Sequence, residues 1–292
     1  MRSTLRTILL VGVLAGAAVL VVEGAPAYAQ VEDDLAEADR RFEDSDFKKS
    51  AAAYDRAIRK APNQVPPEAY AKRASIYVIG KDFEGGLAFI RDKAKAAHPN
   101  APEILEQEAV ILWGLGKKGD AITSAEAAAS KKPSAWIAQR MLGEHHSSRD
   151  AARTIAAYEA YLQHRPTDQE KFDVMPRIRL GFAYLKDASG KVRGDNAVDA
   201  AKTYQKAVTQ FELLKRKFGK EPNASANADN GLCAAYAGLR NNDRAITICE
   251  QIIRNPKQVD AHGSVWFNLG KAYLAKKQAT RARAAATFAV FL

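Results

Sequence analysis

The sequence predicts an all-α chain made of about seven stacked helix pairs, and three observations carry that prediction. Hydrophobic residues make up 47% of the 292 residues while Gly numbers 18 and Pro 11. Alanine-rich stretches such as AAAYDRAIRKA favour helix, because alanine loses no side-chain entropy there. Proline closes successive apolar helical patterns at Pro62, Pro99, Pro133, Pro166, Pro222 and Pro256, at intervals of 37, 34, 33, 56 and 34 residues. Lacking an N–H and restricting the residue before it, proline punctuates helices, so the unit is about 34 residues long.

The N-terminus comes first and stands apart. MRSTLRTILLVGVLAGAAVLVVEGAPAYAQ carries Arg2 and Arg6, an apolar run from about Ile8 to Val22, and Ala27-Tyr28-Ala29 before Gln30. That order predicts a secretory signal over residues 1–29 with cleavage after Ala29. The run falls short of the roughly 20 apolar residues a spanning helix needs. The expected mature chain is therefore periplasmic or secreted, and its superhelical body occupies residues 30–292.

Each later unit repeats one grammar: a first helix with a small residue near its middle, a polar turn, and a second helix with a small residue early. Units fall near 31–63, 67–100, 102–133, 134–166, 173–218, 225–256 and 263–292. The first supplies Phe47, Ser50, Tyr54, Ala57 and Pro62, the second Ala74, Tyr77 and Phe83 with Gly86 at a position that wants alanine. The third supplies Ala109, Leu112, Gly116, Ala121, Ala128 and Pro133, and the fourth keeps mainly Tyr158 and Pro166. The fifth has Leu180, Gly181, Tyr184, Ala200, Tyr204 and Ala207; the sixth Leu232, Tyr236, Ala245 and Pro256; the seventh Trp266, Leu269, Gly270, Tyr273, Ala282 and Ala289.

This pattern resembles the tetratricopeptide repeat over about residues 31–292. The resemblance implies a right-handed α-solenoid in which each pair is too small to bury its own apolar face and must stack. Close approach is expected where small residues meet, at Ala109 with Ala121, Gly181 with Ala200, and Gly270 with Ala282. The 56-residue interval is a departure. KDASGKVRGDNAVDA is expected to lengthen the turn of the fifth pair, ahead of a long second helix from about Asn196 to Phe218. The apolar end ATFAVFL predicts either a chain that continues or a docked partner, since arrays of this kind close with a polar face.

No signature of catalysis is present: H-E-x-x-H, G-x-S-x-G, a P-loop and G-x-G-x-x-G are all missing. Of five histidines only His145 and His146 are neighbours, and adjacent helical residues point about 100° apart, which suits no shared metal. The expectation is a non-enzyme without cofactor or metal. Cys233 lies eight residues before Asn241 in the turn RNNDRA and Cys249 eight after it, at one height on antiparallel helices. They read equally well as a disulfide in an oxidising compartment or as two buried thiols.

Net charge is +10, about +9 without the signal, and uneven: VEDDLAEADRRFEDSDF is acidic and the rest basic. Basic residues are spread along helices, which reads first as a solubilising surface. The resemblance implies that the first helices line a concave groove. In register its candidate residues are Asp39, Ser75, Glu106, Val110, Trp113, Trp136, Gln139, Ile178, Phe182, Asn230, Phe267 and Lys271, with Leu35, Ala71, Gly143 and Ala234 on the same faces. Chaperone-binding members clamp a C-terminal carboxylate with Lys and Asn there; that set is missing here. The expected partner is a protein or peptide held in side-chain pockets, with no nucleic acid, as befits an adaptor in an envelope assembly such as pilus or secretin biogenesis, polysaccharide export, cell-wall or motility machinery. The alternative is a basic module contacting an anionic envelope polymer or membrane surface. The oligomeric state is not encoded in any motif.

Overall fold

The structure, a computed structural model, describes residues 25–255 and 262–291. Pro256 and most of the signal-like segment lie outside the described residues, and the expected cleavage point at Ala29 falls within the first helix. Among the described residues there is no strand, and the helices fall into seven consecutive pairs. The described residues form two compact units that divide between Val65 and Pro66.

The first unit holds one pair, α1 (Ala25–Glu43) and α2 (Phe47–Lys60). Ala38, Ala53, Tyr54 and Ala57 are wholly buried, and Ser50 donates to the Ala38 carbonyl at 2.9 Å. The acidic stretch is answered from within: Arg56 pairs with Asp34 at 3.0 Å and with Glu37, Lys60 pairs with Asp34 at 2.7 Å, and Tyr54 donates to Asp39. Burial pushes the Asp34 carboxyl up, but hydrogen bonds and charge from Lys60 and Arg56 outweigh it and hold the group below its usual range.

The second unit stacks six pairs. They are α3 (Pro67–Ile79) with α4 (Phe83–Phe89), which continues through a π-helical turn at Ile90–Ala94 into α5 (Lys95–Ala97); α6 (Pro102–Gly114) with α7 (Lys118–Lys131); and α8 (Trp136–His146) with α9 (Ala151–His164). Then come α10 (Val174–Arg193) with α11 (Ala197–Phe218), α12 (Pro222–Gly238) with α13 (Asn242–Ile253), and α14 (His262–Ala275) with α15 (Ala279–Phe291). Each second helix packs on its own partner and on the next first helix, and first helices of successive pairs also touch. This connectivity makes the unit an α-solenoid with the first helices on its inner side.

One turn design recurs. A residue with left-handed backbone ends the first helix, and the next residue caps the second: Ser45 before Asp46, Lys81 before Asp82, Asp195 before Asn196, Arg240 before Asn241. The capping oxygens accept backbone N–H bonds of 3.0–3.4 Å, and the cap N–H groups return 2.9 Å bonds to carbonyls five residues earlier. That satisfies orphaned groups at both helix ends. The worn fourth pair lacks the left-handed residue and keeps only its cap, Asp150.

The fifth pair corrects the expectation of a lengthened turn. Its turn is only Gly194–Asn196, and the extra residues extend both helices, to 20 and 22 residues against 11 to 14 in the neighbouring α8, α9 and α13. The segment read as loop is held helical by side chains: Ala188 is fully buried against Ala200 and Tyr204, Ser189 meets the Tyr204 hydroxyl at 3.0 Å, and Lys191 reaches Thr203 at 3.0 Å and Asp187 at 2.7 Å.

Packing also corrects one contact rule. Gly181 does not face Ala200; a Cβ on it would stand 2.5 Å from Phe211 Cζ, and one on Gly231 would stand 2.2 Å from the same atom. The fully buried Phe211 ring of α11 therefore fills the space left by two glycines, one on α10 and one on α12. Small residues here make room for aromatics rather than for each other. Gly270 behaves as expected, with its Cβ direction 3.6 Å from the Ala282 carbonyl oxygen and 3.5 Å from Ala285.

Candidate partner-binding groove

The inner faces of the first helices carry the candidate positions, and the structure divides them. Ile178 is 5% exposed in the core with Leu180 and Tyr184, so it lines nothing; Ala71 and Gly143 are buried as well. A register argument places a residue on a face, but curvature between stacked helices turns part of that face into the junction. Asp39 accepts from Tyr54, Ser75 donates to the Lys72 carbonyl at 2.7 Å, and Gln139 donates to the Pro133 carbonyl at 3.1 Å.

Glu106 on α6 has a structural task. Its carboxylate accepts the Ala138 N–H at 2.9 Å, bonding the first turn of α8, and burial pushes its carboxyl above the ordinary glutamate value despite that bond. A carboxylate at a helix N-terminus meets free N–H groups and a favourable dipole. Glu108, on the same helix, bridges Lys95 at 2.6 Å and Ser124 at 2.9 Å.

The aromatics are half-shared. Trp113 packs on the core around Ala125 and carries Lys118 Nζ 5.5 Å from its ring; Trp136 tilts over Tyr161 at 6.3 Å; Phe182 meets Phe211 edge-on at 5.2 Å. Each is partly exposed, and so are Val110 and Asn230. Phe267 is the most open, at 59% exposure. It and Lys271 border one cleft of about 430 Å³ between α14 and α15, with Gly270, Leu274, Ala282 and Arg283 completing the wall. Of the predicted residues, these two are brought to one cleft; Ile178 lies in the core, and Val110, Trp113, Trp136, Gln139, Phe182 and Asn230 are partly exposed on their separate helices.

What the sequence reading missed is the glue between pairs. Tyr236 of α12 donates to Glu212 of α11 at 3.0 Å, and Tyr184 to Glu159 and Tyr273 to Glu250 repeat that bond. A cation from the following helix lies over each ring: Lys206 at 5.4 Å, Arg244 at 5.3 Å and Arg281 at 5.7 Å. Between α9 and α10, the wholly buried Asp173 accepts two 2.6 Å bonds from Arg165, one of 3.2 Å from Arg177 and one of 3.2 Å from Tyr161. The Asp173 bonds raise the Arg165 guanidinium above its ordinary value against the opposing effect of burial. Cys233 and Cys249 are joined in a disulfide with Cα atoms 5.3 Å apart, pinning α12 to α13.

Among the described residues no cluster of His, Cys, Asp or Glu is placed to hold a metal, and no helix is long and apolar enough to cross a membrane. His145 and His146 contact each other edge-on, and burial lowers the basicity of His146.

A family model described as tetratricopeptide repeat matches residues 35–102, 107–169 and 233–289. The unmatched stretch between the last two holds the over-long α10–α11 hairpin. No curated protein matches the chain. Among solved structures, a tetratricopeptide repeat protein from Parabacteroides merdae is 16% identical over 89% of this chain and 93% of its own, with a TM-score of 0.44. The C-terminal part of a repeat-containing protein from Cytophaga hutchinsonii is 16% identical over 87% and 93%, at 0.42. PilW, a type IV pilus biogenesis factor, is 17% identical over 79% and 97%, at 0.42.

Proposed function

The chain belongs to the tetratricopeptide repeat family, a family of protein-interaction scaffolds, and from that premise we propose that it is an exported adaptor that holds a protein partner against its first helices in a bacterial envelope assembly. The observation that carries the reading is the set of half-open aromatic side chains on first helices, Trp113, Trp136 and Phe182, each anchored on one side and partly open, together with the exposed Phe267. Rigid aromatics with one free face are the residues that dominate protein interfaces. The groove offers no charge clamp, so side-chain pockets supply the specificity.

Export is supported by the signal-like residues 1–29 and by the Cys233–Cys249 bond, a type of crosslink favoured in oxidising compartments. The chain acts by binding and needs no cofactor.

The test is photo-crosslinking in the native envelope from a reactive group at position 110 or 230, both partly exposed on first helices. A discrete protein adduct, lost on Phe182→Ala with Phe267→Ala, is expected. Adducts with polysaccharide or lipid alone, or binding that vanishes above physiological salt, sink the adaptor reading in favour of a basic module for anionic surfaces. Fractionation with N-terminal sequencing checks export, and an intact Met1 in a cytoplasmic fraction rejects it.

A further inference from the structure

The over-long hairpin does more than fill space. Its last turns overhang the next pair, where Val192, Ala197 and Ala201 line one cleft with Ala237, Arg240 and, from α14, Lys271. The cleft they enclose is about 580 Å³, inside the roughly 300–1,000 Å³ span of ligand pockets. Ala197, Ala200, Ala201, Ala237 and Ala275 supply five of its twelve lining residues, and no aspartate or glutamate lines it. Of the nearby carboxylates, Asp187 pairs with Lys191, Asp199 with Lys202 and Asp243 with Lys276, while Asp195 stands in the hairpin turn outside the lining. Arg240 has no carboxylate partner among the described residues, and Lys271 meets only the Phe267 ring, at 5.6 Å. Arg240 also sits in left-handed backbone, φ 57°, which projects its side chain from the turn at a cost that glycine or asparagine avoids.

We propose that this overhang is a second docking site, adjoining the first-helix groove and sharing Lys271 with it, which takes an acidic peptide segment with one apolar side chain: the apolar group enters the cleft and its flanking carboxylates meet Arg240 and Lys271. Two unanswered cations over an apolar floor without acids complement such a segment in both shape and charge. The site exists because α10 and α11 are extended, so it belongs to this chain and not to the repeat as such.

Fluorescence anisotropy on the full chain tests it, with a fluorescein-labelled peptide of aspartate and glutamate bearing one phenylalanine as probe. Binding is expected, and it weakens as salt rises beyond about 0.15 M. Arg240→Gly removes the cation while relaxing the turn, so the fold is kept or stabilised, and binding falls about threefold to tenfold. Ala201→Glu, at an exposed position in the cleft, abolishes it. Thermal melts of both variants confirm that they are folded. Absence of probe binding, binding unchanged by both variants, or equal binding of a peptide with serine in place of phenylalanine overturns the site. Probe binding lost with Trp136→Ala and Phe182→Ala, neither of which lines the cleft, instead relocates the peptide to the first-helix groove, which overturns the second site but leaves the adaptor function standing. Salt-sensitive dimerisation abolished by Arg240→Gly, without probe binding, also overturns it, because the occupant is then a second copy of this chain.

Discussion

The Tyr236 hydroxyl donates to Glu212 across the junction between the fifth pair and the sixth, at 3.0 Å, and Arg244 donates to the same hydroxyl at 3.0 Å. With Tyr184–Glu159 and Tyr273–Glu250 it forms a ladder in which each pair grips the one before. Burial first, and the adjoining carboxylate second, hold the phenol protons of Tyr184, Tyr236 and Tyr273 above the ordinary tyrosine range. The folded state therefore binds more protons than the unfolded one once pH passes the unfolded tyrosine value of about 10, and stability falls from there as pH climbs through the folded values. Below pH ~10 the contribution is fully present. Changing all three to phenylalanine is expected to lower stability by about 1 kcal/mol per site near neutral pH and to flatten the alkaline decline, read from urea melts between pH 8 and pH 11.

Gly231→Ala is expected to destabilise the middle of the solenoid. The new Cβ would stand 2.2 Å from a fully buried ring that Gly181 blocks from the other side. A methyl forced into such a site costs about 1–3 kcal/mol, more than the roughly 1 kcal/mol that alanine gains in helix propensity. Gly190→Ala, with nothing within 4 Å, should stabilise instead. Denaturant titrations in which both variants move the midpoint the same way would contradict the packing described.

Asp173→Asn should be among the most damaging single changes in the chain. It leaves Arg165 and Arg177, each with a side chain 9% exposed, without their shared negative charge. Removing one partner of a buried ion pair costs about 3–5 kcal/mol. Hydrogen exchange localises the effect: amides of α9 and the start of α10 should lose protection first, and uniform loss along the unit would speak against it.

Reducing Cys233–Cys249 is expected to lower stability by about 3 kcal/mol on the loop-entropy estimate for a crosslink spanning 16 residues. Melting with and without reductant measures it. An unchanged midpoint, with free thiols confirmed by alkylation, would mean that packing alone holds α12 to α13.

Much of this was legible locally. A helical hairpin is closed by neighbours in sequence, so the proline spacing, the alanine positions and caps such as Asp46, Asp82 and Asn241 announce the pairs and their stacking. The signature tyrosines were visible too, at Tyr184, Tyr236 and Tyr273. Their carboxylates were not: each lies 23–25 residues away on another helix, where any of several faces might have turned inward. Gly190 and Gly194 suggested a loop, yet contacts to Tyr204 and Thr203 overrode that propensity and built the overhang. Ile178 sits on a plausible face and ends in the core, while Phe267 and Lys271 end beside one cleft. Periodicity reports which residues share one side of a helix; only the angle at which the next helix crosses it settles which of them still meet water.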